Sequence, residues 1–237
     1  MPVTLITGGS TGIGAATARA LLDAGHQVAV TARHADALAD FAAAVNAGDT
    51  LLTLPGDASV DADVEGWVAQ TVERFGQLDN VVANAGYSTH DSLADGDPRR
   101  WREMVLVNVL GPMLLVHAAL PALEAATRDG RTPRIVYLGS VAGVKNTPGN
   151  IYSVTKWAAH ALAENTRLMV TAQGIGVTLI APGRVDTPFW DARGGIEAVG
   201  GPAITADDIA RTVAWTLAQP ASVDVNSVVV RPLGQVL

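Results

Sequence analysis

The sequence predicts an α/β protein, a doubly wound parallel sheet of about seven strands with helices on both faces, in three layers. Three observations predict it. Short apolar, β-branched runs alternate with segments of helical spacing roughly 10 to 20 residues long, the order expected of successive strand–helix units. The runs are apolar at consecutive positions, as in strands buried on two sides. No repeat, low-complexity tract or Pro/Gly/Ser-rich linker divides the 237 residues, so a single domain over 1–237 is expected.

The elements follow in order. Val3–Thr7 is the first strand and ends in Gly8-Gly9-Ser10-Thr11-Gly12-Ile13-Gly14. Residues 15–24 then have helical spacing, with Ile13, Thr17, Ala20 and Leu21 along one face and Gly25 as the stop. A strand at 28–32, a helix at 35–46 stopped near Gly48, and a strand at 50–54 come next. A helix from about 59 to 75 precedes a strand at 78–83. The helical region from Pro98 to about Ala126 contains Gly111-Pro112, where a break is expected because proline has no N–H for the helix ladder. The remaining elements are a strand at 134–138, a long helix at 152–171, a strand at 177–181, a helix at 205–218 and a strand at 225–230. Thr205 with Asp208 three residues on opens the last helix as a variant of the capping box.

Composition removes several classes of function. Sixteen basic against 23 acidic residues give a net charge of −7, which argues against nucleic acid as a partner, since that binding is led by Lys and Arg. Zero cysteines exclude disulfides, thiolate catalysis and Cys-ligated metals. Histidines 26, 34, 90, 117 and 160 form no H-E-x-x-H pair or carboxylate cluster at ligand spacing, so no metal is expected. The start, Met1 to Ile6, lacks the basic, long apolar pattern of a signal peptide. Apolar stretches are broken before about 20 residues, so no membrane span and a cytoplasmic location are expected. Only Lys145 and Lys156 among the basic residues are lysines.

In open parallel sheets the ligand crevice lies beyond the carboxyl ends of the strands. The Gly8–Gly14 segment sits at such an end and opens a helix. Glycines there let the backbone approach a pyrophosphate, which a helix N-terminus favours; the plain alternative is a tight turn without a ligand. The spacing is Thr7-Gly8-x-x-x-Gly12-x-Gly14. With Asn84-Ala85-Gly86 after the fourth strand, Ser140 after the fifth, Tyr152-Ser153-Val154-Thr155-Lys156 opening the long helix and Pro182-Gly183 with Thr187 after the sixth, the chain resembles the short-chain dehydrogenase/reductase family over about 3–235. The resemblance implies a Rossmann-type fold, a nicotinamide dinucleotide, and contacts to it from Gly8, Ser10, Thr11, Gly12, Ile13, Gly14, Asn84, Ala85, Gly86, Pro182, Gly183, Val185 and Thr187. Asp57 and Ala58 resemble the family's adenine-contacting pair, although an Asp there can equally cap the next turn.

The end of the second strand carries Ala32 and Arg33 in place of an acidic residue. An Asp would repel a 2′-phosphate and an Arg can clamp it, so NADP(H) is favoured over NAD(H) unless Arg33 is only a solvated side chain. The second basic marker of the family is replaced by Thr11.

Tyr152 and Lys156, four apart, share a helix face. An ammonium beside a phenol lowers its pKa toward a useful acid–base range; a surface pair is the bland alternative. By resemblance, Tyr152 exchanges the proton on the substrate oxygen, Ser140 holds that oxygen, Lys156 also bonds the nicotinamide ribose, and Asn108 holds a water in the proton relay. The expected reaction interconverts a carbonyl and an alcohol of a small molecule. A catalytically silent dinucleotide sensor or scaffold is the competing reading, which would not need Ser140, Tyr152 and Lys156 together. Epimerisation or dehydration is opposed by the short chain, the glycine spacing and Arg33.

Specificity is expected in a loop or lid at 183–204. Phe189 and Trp190 either line an apolar pocket or anchor the loop, and Arg184 and Lys145 either receive a substrate carboxylate or are solvated. The tail around Arg231, Pro232 and Leu233 lacks the Asp-Gly-Gly ending common in the family. It resembles the branch of 3-hydroxy acid and serine-type dehydrogenases and some aldehyde or ketone reductases, which favours small polar substrates. Apolar residues on several faces of the helices bearing Asn108 and Tyr152, among them Leu110, Leu114, Leu115, Leu162 and Met169, fit a homodimer or homotetramer.

Overall fold

A computed structural model describes residues 1–235. Its elements are β1 (Val3–Thr7), α1 (Gly12–Asp23), β2 (Gln27–Ala32), α2 (Ala35–Val45), β3 (Leu51–Pro55), α3 (Asp61–Phe75), β4 (Asn80–Ala83), α4 (Pro98–Val105), α5 (Gly111–Arg128), β5 (Arg134–Leu138), α6 (Ile151–Val170), β6 (Gly176–Pro182), β7 (Val185–Asp186), α7 (Gly195–Val199), β8 (Ile204–Thr205), α8 (Ala206–Leu217) and β9 (Ser227–Val230). Seven strands form one parallel sheet in the order β3-β2-β1-β4-β5-β6-β9. The order reverses between β1 and β4, so a crevice opens at the carboxyl ends of those two strands.

Alternation along each strand explains the three layers. Val3 and Leu5 of β1, Ile135 and Tyr137 of β5, and Val177 and Leu179 of β6 face α3, α5 and α6, where Val64, Trp67, Leu115, Leu123 and Val170 cover them. The intervening Ile6, Val136 and Ile180 face α1, α2 and α8, against Leu21, Leu38, Phe41, Ile209 and Val213. Both faces being covered is the reason the strands are continuously apolar. Thr205 accepts from the Asp208 N–H at 3.2 Å while the Asp208 carboxylate accepts from the Thr205 N–H at 2.8 Å, completing the expected capping box.

Two expectations about the helical region are corrected. The helix does not break at Gly111-Pro112. It widens into a π-turn over Leu106–Leu110 and continues as α5. Pro112 has no N–H to offer the Asn108 carbonyl, and a π-turn absorbs that loss without ending the helix. Because it continues, Pro98–Arg128 is long and apolar enough by length and composition to cross a membrane, where broken apolar stretches were expected. One face of it, with Leu115, Val116, Ala119 and Leu123, is buried against the sheet, while Val105, Leu106 and Met113 stay exposed.

The segment expected as a lid is also more structured than a loop. β7 and β8 pair in a small parallel sheet, and a 3₁₀ turn at Pro188–Arg193 and α7 lie between them.

Candidate active site

The carboxyl ends of β1, β4, β5 and β6 open on a cleft of about 1000 Å³. At its floor, Gly8 (φ +66°) and Gly12 (φ +54°) turn the chain out of β1 and into α1, a conformation that glycine adopts without steric cost. A Cβ on Gly14 would overlap the Gly8 carbonyl and come within 2.6 Å of Asn84 Nδ2. The Cα of Gly14 therefore packs under the turn, where no side chain fits. Asn84 ties the turn to β4, with Nδ2 donating to the carbonyls of Thr7 (2.9 Å) and Gly8 (3.0 Å). Thr7 Oγ1 accepts from the N–H groups of Asn84 and Ala85, each at 3.1 Å. α1 has neither a side-chain cap nor an acidic residue in its first turn. The N–H groups of Gly12, Ile13 and Gly14 thus have no intrahelical acceptor, a fitting cradle for a phosphate.

Ser10, Thr11, Arg33, Asp57, Ala58, Ala85, Gly86, Pro182, Gly183, Val185 and Thr187 all line the cleft, as expected. Arg33 is exposed at the end of β2. Asp57 caps its own turn, with Oδ1 accepting from the Ser59 N–H (2.8 Å) and hydroxyl (2.7 Å), while it also lines the cleft.

Ser140, Tyr152 and Lys156 converge on the same cleft. Ser140 ends β5 and caps the short turn Val141–Gly143 by accepting from the Ala142 N–H at 3.1 Å. That turn is seated on α6. Ser153 donates to the Ala142 carbonyl at 2.7 Å, and a Cβ on Gly143 would come within 2.6 Å of both the Lys156 carbonyl and His160 Cδ2. The helix that carries Tyr152 and Lys156 therefore also sets the position of Ser140. Lys156, buried, donates to the Leu138 carbonyl at 2.8 Å, and its ammonium lies 5.6 Å from the centre of the Tyr152 ring.

Burial dominates the electrostatics. It pushes the Tyr152 phenol up to about 12, with the Ser140 hydroxyl opposing, and it pushes the Lys156 ammonium down to about 8. The expected lowering of the phenol by the ammonium is not found. Lys156 is committed to a carbonyl and to the ring face, and desolvation of the phenolate outweighs its attraction.

Asn108 and Lys145 do not line the cleft. Asn108 is 3% exposed; its Oδ1 accepts from the Tyr87 N–H (3.0 Å), and its Nδ2 donates to the Tyr87 carbonyl (2.8 Å) and Thr155 Oγ1 (3.0 Å). Its side chain thus clamps the β4 loop to α6. Lys145 is exposed outside the cleft, because the turn that carries it runs outward once Ser153 has fixed its carbonyl at 3.3 Å. Arg184 lines the cleft, with its guanidinium on the Pro202 carbonyl at 3.5 Å.

Phe189 and Trp190 line the cleft, and the Phe189 ring lies 5.5 Å from that of Tyr152. Against them packs His90, on the loop after β4, a residue with no local sequence signal. Its ring meets Phe189 edge-on at 5.0 Å and stacks on Trp190 at 5.6 Å, and Nε2 lies 3.1 Å from the Phe189 carbonyl. Its φ of +57° is uncommon for a residue with a side chain,. Burial holds its imidazolium below the usual histidine range; the Phe189 carbonyl opposes this, and the guanidiniums of Arg193 and Arg100 reinforce it.

Comparison with known proteins gives the family. The family model described as short chain dehydrogenase matches residues 2–195. An uncharacterized oxidoreductase of Staphylococcus saprophyticus is 32% identical over 239 residues, covering 98% of this chain and 97% of that one. A second, from Staphylococcus haemolyticus, is 33% identical over 98% of this chain and 97% of its own. Among solved structures, an alcohol dehydrogenase of the archaeon Thermococcus sibiricus, complexed with 5-hydroxy-NADP, superposes with a TM-score of 0.87 at 32% identity, over 99% of this chain and 98% of that one. A closed form of serine dehydrogenase complexed with NADP+ gives 0.90 at 26% identity, over 99% and 96%. The chain belongs to the short-chain dehydrogenase family. It is an oxidoreductase.

Proposed function

We propose that this oxidoreductase interconverts a carbonyl and an alcohol on a small molecule, with NADP(H) preferred over NAD(H). The observation that carries the reading is the convergence of Ser140, Tyr152 and Lys156 on the cleft that the Gly8–Gly14 turn also opens into. The first N–H groups of α1 and the Ser10 hydroxyl would hold the pyrophosphate, and Arg33 the 2′-phosphate. Asp57 and Ala58 would face the adenine. Asn84, Ala85, Gly86, Pro182, Gly183, Val185 and Thr187 would border the rest of the dinucleotide. When bound, the nicotinamide supplies hydride chemistry. The 5-hydroxy-NADP and NADP+ in the two solved relatives support this reading.

The protein's own part is to orient and to move a proton. Tyr152, protonated at neutral pH because burial raises its pKa, donates to the oxygen of the carbonyl under reduction. Ser140 holds that oxygen beside the phenol, and Lys156, whose ammonium lies over the phenol ring, would hold the ribose. These groups stabilise charge where it develops. Asn108 keeps the loop under the nicotinamide in register with α6. A homodimer or homotetramer is proposed from the exposed Met113, Val154 and Trp157 on α5 and α6, and light scattering measures it.

Initial rates with NADPH and NADH at limiting concentration, over a panel of ketones, aldehydes and 3-hydroxy acids, test the reading; a stronger preference for NADH overturns the cofactor assignment. The direction of the Tyr152 shift gives a second check. Alcohol oxidation needs the phenolate, whose fraction rises about tenfold per pH unit while the pH lies below the pKa. Oxidation is expected to climb from pH 7 to 9 while reduction does not. A plateau of oxidation already reached at pH 7 contradicts the assignment.

A further inference from the structure

Five arginines, Arg74, Arg99, Arg131, Arg167 and Arg211, hold carboxylates in ion pairs, and all five lie outside the cleft. The four that line it, Arg33, Arg100, Arg184 and Arg193, make no ion pair among the described residues. Two of these have other uses. Arg33 stands at the end of β2, and Arg184 reaches the Pro202 carbonyl. Arg100, on α4, and Arg193, at the end of the turn after β7, remain. Both act on His90 from different elements, and their effect there exceeds that of Asp91. His90 meets Phe189, which meets Tyr152, and both arginines line the cleft that these rings line.

The carboxylates of the same rim are bonded to their own loop. Asp91 Oδ1 takes the Thr89 hydroxyl and the Trp101 Nε1–H, the latter at 3.1 Å. Asp95 Oδ1 takes the Ser92 N–H at 3.1 Å and its hydroxyl at 2.8 Å. Neither reaches a guanidinium. In a chain of net charge −7, two cations that make no ion pair among the described residues and line the same cleft as Tyr152 make a local field that draws an anion.

We propose that Arg100 and Arg193 receive a carboxylate carried by the substrate, several atoms from the carbonyl that meets Tyr152. The proposal rests on the carbonyl–alcohol reading for the position of the reacting end. Guanidinium forks suit a carboxylate through paired hydrogen bonds. The aromatic layer of Phe189, Trp190 and His90 would lie along the chain between the two ends. Lys145 and Arg184, the receptors expected from sequence position, are replaced in this role.

The test uses 4-oxopentanoate and its methyl ester, matched in shape and differing in charge. Binding is followed by the NMR signals of the His90 imidazole, assigned with His90→Gln, and turnover by nicotinamide absorbance. The acid is expected to bind about tenfold more tightly than the ester, or better, and to raise the His90 pKa by offsetting the two guanidiniums. In Arg100→Met/Arg193→Met the acid is expected to lose that advantage, while the ester and the melting temperature stay unchanged. Arg193→Glu should disfavour the acid further. Equal binding of acid and ester by the wild-type protein, or equal weakening of both in the double variant, overturns the proposal. If the acid binds through the arginines and neither compound is turned over by an enzyme inactive across the carbonyl panel, the carbonyl–alcohol reading fails and the anion site stands. If the ester is reduced as well as the acid, the reverse holds.

Discussion

The two ends of the cleft are built by different means. At the dinucleotide end, backbone shapes the surface that faces the ligand: Gly8 and Gly12 turn and Gly14 packs without a side chain, while the Asn84 and Thr7 side chains lock the turn to the neighbouring strand. At the substrate end, side chains do it: Phe189 and Trp190, on a segment held by the two-residue strands β7 and β8, lean on each other and on His90 from the loop after β4. A backbone device tolerates almost no substitution and reads the same in any sequence. A side-chain device can be rebuilt from many residues, so it can vary its ligand.

The largest effect should come where the two ends meet. Tyr152→Phe is expected to lower turnover on the order of 10³-fold and to leave dinucleotide affinity within about threefold by fluorescence titration. Near-normal turnover would remove Tyr152 from the chemistry. Next, Gly14→Ala forces a methyl onto the Gly8 carbonyl and should cost about 1–3 kcal/mol of stability, together with most dinucleotide affinity. Gly195→Ala, at φ +89° but in open space, should cost only about 1 kcal/mol and spare that affinity. Equal losses in thermal and titration measurements would erase the distinction between the two ends. Arg33→Asp should shift the NADPH/NADH ratio of kcat/KM toward NADH by about 10–100-fold, with no change in KM for the carbonyl substrate. The smallest change is expected from Trp190→Ala, a few-fold rise in substrate KM with dinucleotide affinity unchanged; a matching loss of dinucleotide affinity would show that the two ends are coupled.

How much was legible follows the same division. The alternation of strands and helices, the covering of both sheet faces, the glycine turn and the Ser140, Tyr152 and Lys156 set were readable, because periodicity and glycine punctuation encode backbone. Helix continuity through Pro112 was not, since a proline in a helical run marks a break as readily as it marks the π-turn that absorbs it here. Nor was the direction of the Tyr152 shift, because the sequence places a lysine one turn away but cannot show that burial outweighs it. His90 left no local signal at all; its place is set by residues a hundred positions later in the chain. Lys145 misled for the opposite reason, being near Ser140 in sequence while its turn faces away.

The partner of β6 has a consequence for synthesis. β6 ends at Pro182 and its outer neighbour β9 begins only at Ser227, with β7, α7, β8 and α8 between them. At about 5–20 residues per second on the ribosome, Leu179 to Pro182 must wait roughly 2–9 seconds for Ser227 to Val230 to emerge. During that interval an apolar strand edge stands open to other nascent chains. The risk of misassembly is therefore concentrated late in translation, and a holdase that covers this edge should raise the yield of folded protein more than one acting on the first half of the chain.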